Sequence, residues 1–147
     1  MGLALDREAL IAYLDEVFPQ VRGEFGIDAL APMEITMRLK VREAHLRPGG
    51  TVSGPSMFAL ADVTVYALVL SMVGREALAV TTNCSIDFMR KPEAGRDLVA
   101  TGRLLKLGRV LAVGDVLLHS DGSDKPVARA SLTYSIPPAA SQSSGAG

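Results

Sequence analysis

Apolar and polar positions repeat along this chain in two different periods, and the change of period divides it. Leu10, Leu14, Val17 and Val21 recur at helical spacing behind Asp6, which stands where an N-cap belongs, and Leu5 is placed to staple onto Leu10. This predicts a first helix over 7–18, broken by Pro19 and Gly23, with 27–32 a short connection or strand. From Met33 the period is two. Met33, Ile35, Met37, Leu39 and Val41 alternate with Glu34, Thr36, Arg38, Lys40 and Arg42, the pattern of a strand with one buried and one wet face. His45 follows at the end of that strand, where a single histidine reads as an ordinary surface or interface residue.

Between Pro48 and Gly74 neither period holds, and Asp62 is the only charged side chain of the stretch. An apolar run rich in helix formers, with no polar stripe, predicts a helix buried on nearly every side. Gly54 and Pro55 mark its start: proline is pre-set for the first turn, and a glycine before it lets other atoms approach the free N–H groups there. A carboxylate two turns into such a helix is costly to bury unless it has hydrogen-bond donors or a chemical task. Asp62 is therefore either a structural pin or a base or nucleophile held in a water-poor cleft.

Beyond this helix, Leu78, Val80, Thr82, Cys84, Ile86 and Phe88 alternate with Ala79, Thr81, Asn83, Ser85 and Asp87. The second set is a row of hydroxyl, amide and carboxylate groups that a purely structural strand does not require, although a solvated face would also show it. Cys84 falls on the apolar side without a basic sequence neighbour, so it reads as packing rather than as a nucleophile. Arg90-Lys91-Pro92 closes the strand, Asp97–Leu107 and Val110–His119 form a hairpin across Gly108-Arg109, and Val127–Ile136 is the last strand. Residues 138–147 lack an apolar pattern and are predicted to be disordered. The rest, 1–137, forms one domain, of which 1–32 is an N-terminal helix and connection. The order of elements indicates an α+β fold, an antiparallel β-sheet wrapped around one long central helix. One helix covers only one face of a sheet and leaves edge strands open, so self-association is expected.

Composition narrows the function. The chain has 147 residues, 48% of them hydrophobic, with a formal net charge of -1 and a pI near 6.1, which gives one domain without the basic face that nucleic acid or an anionic membrane selects. One cysteine and two histidines leave neither a disulfide framework nor the usual zinc ligands, so no metal is expected. The start of the chain lacks a basic segment followed by an apolar block, and the apolar run 57–73 is short for a membrane span and carries Asp62. The expectation is a cytoplasmic protein.

The stretch GGTVSGPSMFALAD, the segment SIDFMRKPEAGRDLVATGRLLKLGR and the ending PVARASLTYSI resemble the hotdog-fold acyl-coenzyme A thioesterases of the phenylacetic-acid-degradation type, over about Glu34 to Pro137. In that family the helix start reads Asn-x-x-Gly-x-x-His-Gly-Gly and continues to Leu-Ala-Asp. Leu60-Ala61-Asp62 matches the latter, Gly50 and Gly54 match glycines of the former, and Phe88 to Pro92 is similar to a further F-x-R-P-like segment with one extra residue. The resemblance implies a hotdog fold that hydrolyses a small to medium acyl-CoA, aromatic acyl groups included, to free acid and coenzyme A. Coenzyme A is then part of the substrate, and no separate cofactor is implied. Asp62 would be general base or nucleophile, the Gly54 backbone N–H the oxyanion donor, and Thr81, at the place of a family Ser or Thr, would hold water or the carboxylate.

Ser53 stands where the family has His, Pro55 where it has the second glycine, and Arg47 where it has Asn. These positions, with Asn83, are candidate substrate contacts. Ala59, Val63 and Tyr66 are candidates for the acyl pocket, and Arg90, Lys91 and Arg109 for the phosphates of coenzyme A. The resemblance further implies a homodimer, or a tetramer built as a dimer of dimers, with each site framed by two chains. The three replacements also define an alternative, an acyl-CoA-binding or structural hotdog protein without catalysis.

Overall fold

The computed structural model describes residues 2–138, so the predicted disordered tail lies outside the described residues except for Pro138. Asp6 caps α1 (Arg7–Val17), its carboxylate accepting from the Ala9 N–H at 2.8 Å, while Leu5 and Leu10 are both buried as a staple requires. The short segment after α1 is a full strand, β1 (Phe25–Ala31), longer than its sequence pattern suggested. Met33 turns the chain back at φ 68, and β2 (Glu34–Leu39) follows with Ile35, Met37 and Leu39 buried.

The long apolar helix is α2 (Gly54–Val73), with Gly54 and Pro55 at its start as read from the sequence. Four strands complete the chain: β3 (Val80–Phe88), β4 (Leu98–Leu107), β5 (Leu111–Ser120) and β6 (Pro126–Ser135). They form one antiparallel sheet in the order β1-β2-β4-β5-β6-β3, curved around α2. Leu60, Val65, Leu68, Val69 and Leu70 of α2 are fully buried against Ile35, Leu98, Leu118 and Leu132 of the sheet. Burying such side chains stabilises the fold by about 1.5–3 kcal/mol each. Although α2 is long and apolar enough to cross a membrane, most of it is enclosed by this sheet.

Two glycines set how closely helix and sheet approach. A Cβ at Gly102 would lie 2.8 Å from the Thr64 methyl, and one at Gly114 would lie 3.3 Å from a Val65 methyl. A larger residue at Gly102 must displace the fully buried Thr64 side chain, two positions from Asp62 on α2. At its far end α2 is tied to the N-terminal segment, whose Ala4 and Leu5 N–H groups both donate to the Ser71 carbonyl.

The sheet edges differ. Arg7 reaches over β1 and donates to the Ile27 carbonyl at 2.7 Å, whereas β3 pairs only with β6. Leu78, Val80, Phe88 and Met89 are exposed along this second edge, and Leu78 keeps 72% of its surface in solvent. An open edge flanked by large apolar side chains is a surface built for another strand.

Candidate active site

Asp62 is not fully buried, and three hydrogen bonds from two hydroxyls fix it. Its Oδ1 accepts from Thr81 Oγ1 at 2.5 Å and from the Tyr134 hydroxyl at 2.7 Å, and the same phenol lies 3.0 Å from the Asp62 carbonyl. With Oδ1 doubly occupied, Oδ2 is the oxygen left to act on another molecule. Burial, then the charge of Asp62, raises the Tyr134 phenol far above its usual pKa, so it remains a donor at all ordinary pH.

Thr81 reaches Asp62 because β3 is not regular. Thr81 pairs with Tyr134 and Asn83 with Thr133, so Thr82 is an extra residue bulged out of the ladder. Simple alternation puts Thr81 on the same face as Asn83 and opposite Cys84. The bulge reverses the phase, turning Thr81 toward α2 on the Cys84 side and leaving Asn83 on the outer face. Asn83, a candidate substrate contact, is therefore exposed on the face away from Asp62, and the polar row expected on one side of β3 is split between two. Cys84 packs against the core as expected, and burial followed by the nearby Asp62 charge keeps its thiol protonated.

A cleft of about 390 Å³ opens beside the carboxylate. Val17, Phe18, Val63, Tyr66, Ala77, Ala79 and Val80 line it around Asp62, Thr81 and Tyr134. Phe18 meets Tyr66 edge-on at 6.1 Å, and Tyr66 in turn faces Tyr134 at 6.1 Å, so a series of rings leads to the acid. The Tyr66 hydroxyl donates to the Ala77 carbonyl at 2.8 Å and the Ala77 N–H donates to the Tyr13 hydroxyl at 3.1 Å, which holds the wall that leads into β3. Of the acyl-pocket candidates, Val63 and Tyr66 line this cleft, whereas Ala59 is exposed outside it. Phe18 and Tyr134 were missed: in sequence the one ends a helix and the other is an inward position of a strand, and only the β3–β6 register brings Tyr134 to the acid.

The start of α2 is built differently. Leu46 and Val52 bridge a small loop turned by Gly49 and Gly50, both at positive φ. Ser53 is the N-cap: its Oγ accepts from the Ser56 N–H at 3.3 Å and its carbonyl from Met57 N–H. The hydroxyl at position 53 is therefore spent on the helix itself. The Gly54 N–H has no acceptor among the described residues and lies at the positive end of the helix dipole. A second, shallow pocket of about 340 Å³ surrounds it, lined among others by Arg47, Phe88, Arg90 and Lys91. The fold thus gathers three of the cations read as phosphate or substrate contacts around Gly54, while Pro55 is exposed at the first turn. Arg109 stands apart on the β4–β5 turn, beyond Leu111, which pairs with the Ser135 that also pairs with Val80. That is the opposite end of β3 from Arg90 and Lys91.

The sequence from 49 to 127 matches the family model described as the thioesterase superfamily. The chain belongs to this superfamily. Human acyl-coenzyme A thioesterase 13 is 30% identical over 112 residues, which is 76% of this chain and 79% of the human protein. A crystal structure of a protein from Silicibacter sp. TM1040 superposes with a TM-score of 0.89 at 73% identity, covering 94% of this chain and 96% of that one. A mutant of the phenylacetic acid degradation protein PaaI from Thermus thermophilus gives a TM-score of 0.70 at 29% identity over 81% of this chain and 99% of its own. The fold is the hotdog fold read from the sequence, and the chain is a thioester hydrolase of the PaaI-like kind.

Proposed function

We propose that this thioesterase hydrolyses small to medium acyl-CoA esters, aromatic ones included, in a site assembled from two chains. The single observation that carries the reading is the Asp62 carboxylate, pinned through Oδ1 by Thr81 and Tyr134 beside a cleft that Val17, Phe18, Val63 and Tyr66 also line. Hydrolysis of a thioester requires an oxygen nucleophile at the carbonyl carbon and donors for the charge that develops on the carbonyl oxygen. Oδ2 fills the first role, either by attacking the carbonyl itself or by taking a proton from the attacking water. The Gly54 N–H, free at the start of α2, fills the second.

These two groups do not serve one carbonyl within a single chain. Gly54 and Asp62 are eight residues apart on the same helix, about 12 Å along its axis. Strand β3 supports the solution. Its Thr81 end lies under Asp62, and its Phe88 end lies against Gly54, where an added Cβ would meet the Phe88 ring at 3.5 Å. Two copies of this open edge, paired antiparallel about Cys84 and Ser85, bring Asp62 of one chain beside Gly54 of the other. The cleft then accepts the acyl group, and Arg47, Arg90 and Lys91 around the opposing Gly54 meet the phosphates of coenzyme A.

The test is thiol release from a panel of short, medium and aromatic acyl-CoA esters. Asp62→Asn is expected to lower kcat by about a hundred- to ten-thousandfold with an unchanged circular dichroism spectrum. Wild-type turnover by this variant would leave Asp62 as a structural pin.

A further inference from the structure

We propose that His45, held by Glu24, is a positioning residue that fixes the loop carrying the Gly54 donor; this rests on the assignment of Gly54 to the thioester oxygen. Read from sequence as an ordinary surface position, His45 is 7% exposed, and every polar atom of its ring and its carbonyl is engaged. Nδ1 accepts from the Arg42 N–H at 2.8 Å, which places the ring proton on Nε2, and Nε2 donates to Glu24 Oε1 at 3.0 Å. The His45 carbonyl accepts from the Ser53 N–H at 2.8 Å, one residue before Gly54.

These contacts make a short chain of atoms from the body of the fold to the donor. Glu24 is anchored where β1 begins, its own carbonyl accepting from the Lys40 N–H just beyond β2, and its Oε1 is also bound by the Arg42 guanidinium at 2.6 Å. The hydrogen bond from His45 is the foremost of the influences that hold the Glu24 carboxyl below its ordinary range. Between His45 and Ser53 the chain is a loop with two glycines at positive φ and one isolated bridge, Leu46 to Val52. Such a loop does not set the direction of the Gly54 N–H by itself. An oxyanion donor stabilises developing charge only when it is aimed before the reaction, and a misplacement near 1 Å costs on the order of a hundredfold. The buried imidazole supplies that aim from one end of the loop, and the Ser53 N-cap supplies it from the other.

The experiment compares His45→Ala, His45→Gln, Glu24→Ala and the wild type by steady-state kinetics on the best acyl-CoA substrate and by amide hydrogen exchange. His45→Gln keeps an amide N–H that reaches Glu24. His45→Ala and Glu24→Ala are expected to lower kcat by about ten- to a hundredfold, more than they raise KM, with partial rescue in His45→Gln. Amides from Leu46 to Gly54 should lose protection while those of β4 and β5 keep it. Uniform loss of protection with unchanged kcat below the melting transition would reduce His45 to a stabilising residue and overturn the proposal. So would unchanged exchange in the loop. Failure of the thioesterase reading itself is seen separately, as absence of wild-type turnover or full activity of Asp62→Asn, and in that case the exchange data alone decide whether His45 anchors the loop.

Discussion

The two ends of the reactive stretch of α2 are built on opposite plans. Around Asp62 the contacts come from regular elements: Thr81 from β3 and Tyr134 from β6, directly paired across the ladder, both converging on one carboxylate oxygen. Around Gly54 the contacts come from a glycine-bearing loop, an N-cap and a shallow surface pocket rimmed by cations. The acid is held from the sheet, so its direction is set within the single chain in the absence of substrate. On the proposed reading the Gly54 N–H stays open because a phosphate-bearing substrate must reach it and a second chain must close over it. On that reading one half is complete in the single chain, and the other is completed by assembly.

The strongest way to break this comparison is to damage each half in a different chain. Gly54→Pro, which removes the free N–H, should cost about a hundred- to a thousandfold in kcat. Mixing it with Asp62→Asn chains under subunit exchange should restore roughly a quarter of wild-type turnover, because half of randomly mixed dimers are heterodimers and each retains one intact site. No recovery after exchange has been verified by mass would place both groups in one chain.

Smaller effects probe the pinned half. Tyr134→Phe and Thr81→Val each remove one hydrogen bond to a carboxylate and should reduce kcat by about ten- to a hundredfold, as interactions with charged groups of ~1.5–3 kcal/mol imply. Since both act on Oδ1, the double variant should lose less than the product of the two single losses. Strict multiplicativity in a double-variant cycle would show that the two hydroxyls do separate jobs. At the exposed edge, Phe88→Lys should shift the sedimentation equilibrium toward the monomer and lower specific activity in proportion. A fully active monomer is the outcome that refutes a shared site.

The smallest effect concerns Glu24. Its carboxyl is held below the usual range in the folded chain, so it contributes stability that is complete above the unfolded value of about 4.3 and is lost as pH falls through the lower folded value. The melting temperature should therefore drop less steeply below about pH 4.3 in Glu24→Gln than in the wild type. Parallel curves would mean that the His45–Glu24 contact adds nothing to folding.

Much of the carboxylate half was legible in the sequence. A single acid in an otherwise apolar helix announces itself by its cost, and the Gly54-Pro55 start of α2 follows from local backbone chemistry. Thr81 was found by family resemblance, while strand alternation assigned it to the wrong face, since a bulge without a glycine leaves no mark in the pattern and Thr81, Thr82 and Asn83 all suit a strand. The same bulge sets Asn83 and Thr81 on opposite faces, where plain alternation puts them together. Tyr134 and His45 were illegible for a different one: each acts through contacts set by pairing or burial between residues far apart in the chain, so neither differs locally from an ordinary strand tyrosine or loop histidine. The bare edge of β3 was foreseen only in general, as an expectation that some edge would need covering, because the strand order is not contained in any local period.

The bulge at Thr82 also bears on how this protein can change over generations. Replacing Thr82 alters one side chain outside the regular pairing, but deleting it restores an even ladder and rotates the start of β3 by half a repeat. Every residue of the site would still be encoded, Asp62 and Tyr134 included, and the Thr81 hydroxyl would point to the far side of the sheet. Loss of a single codon at this place is thus a short path from a hydrolase to a hotdog protein that keeps its fold, its cleft and its cations while lacking a properly held acid.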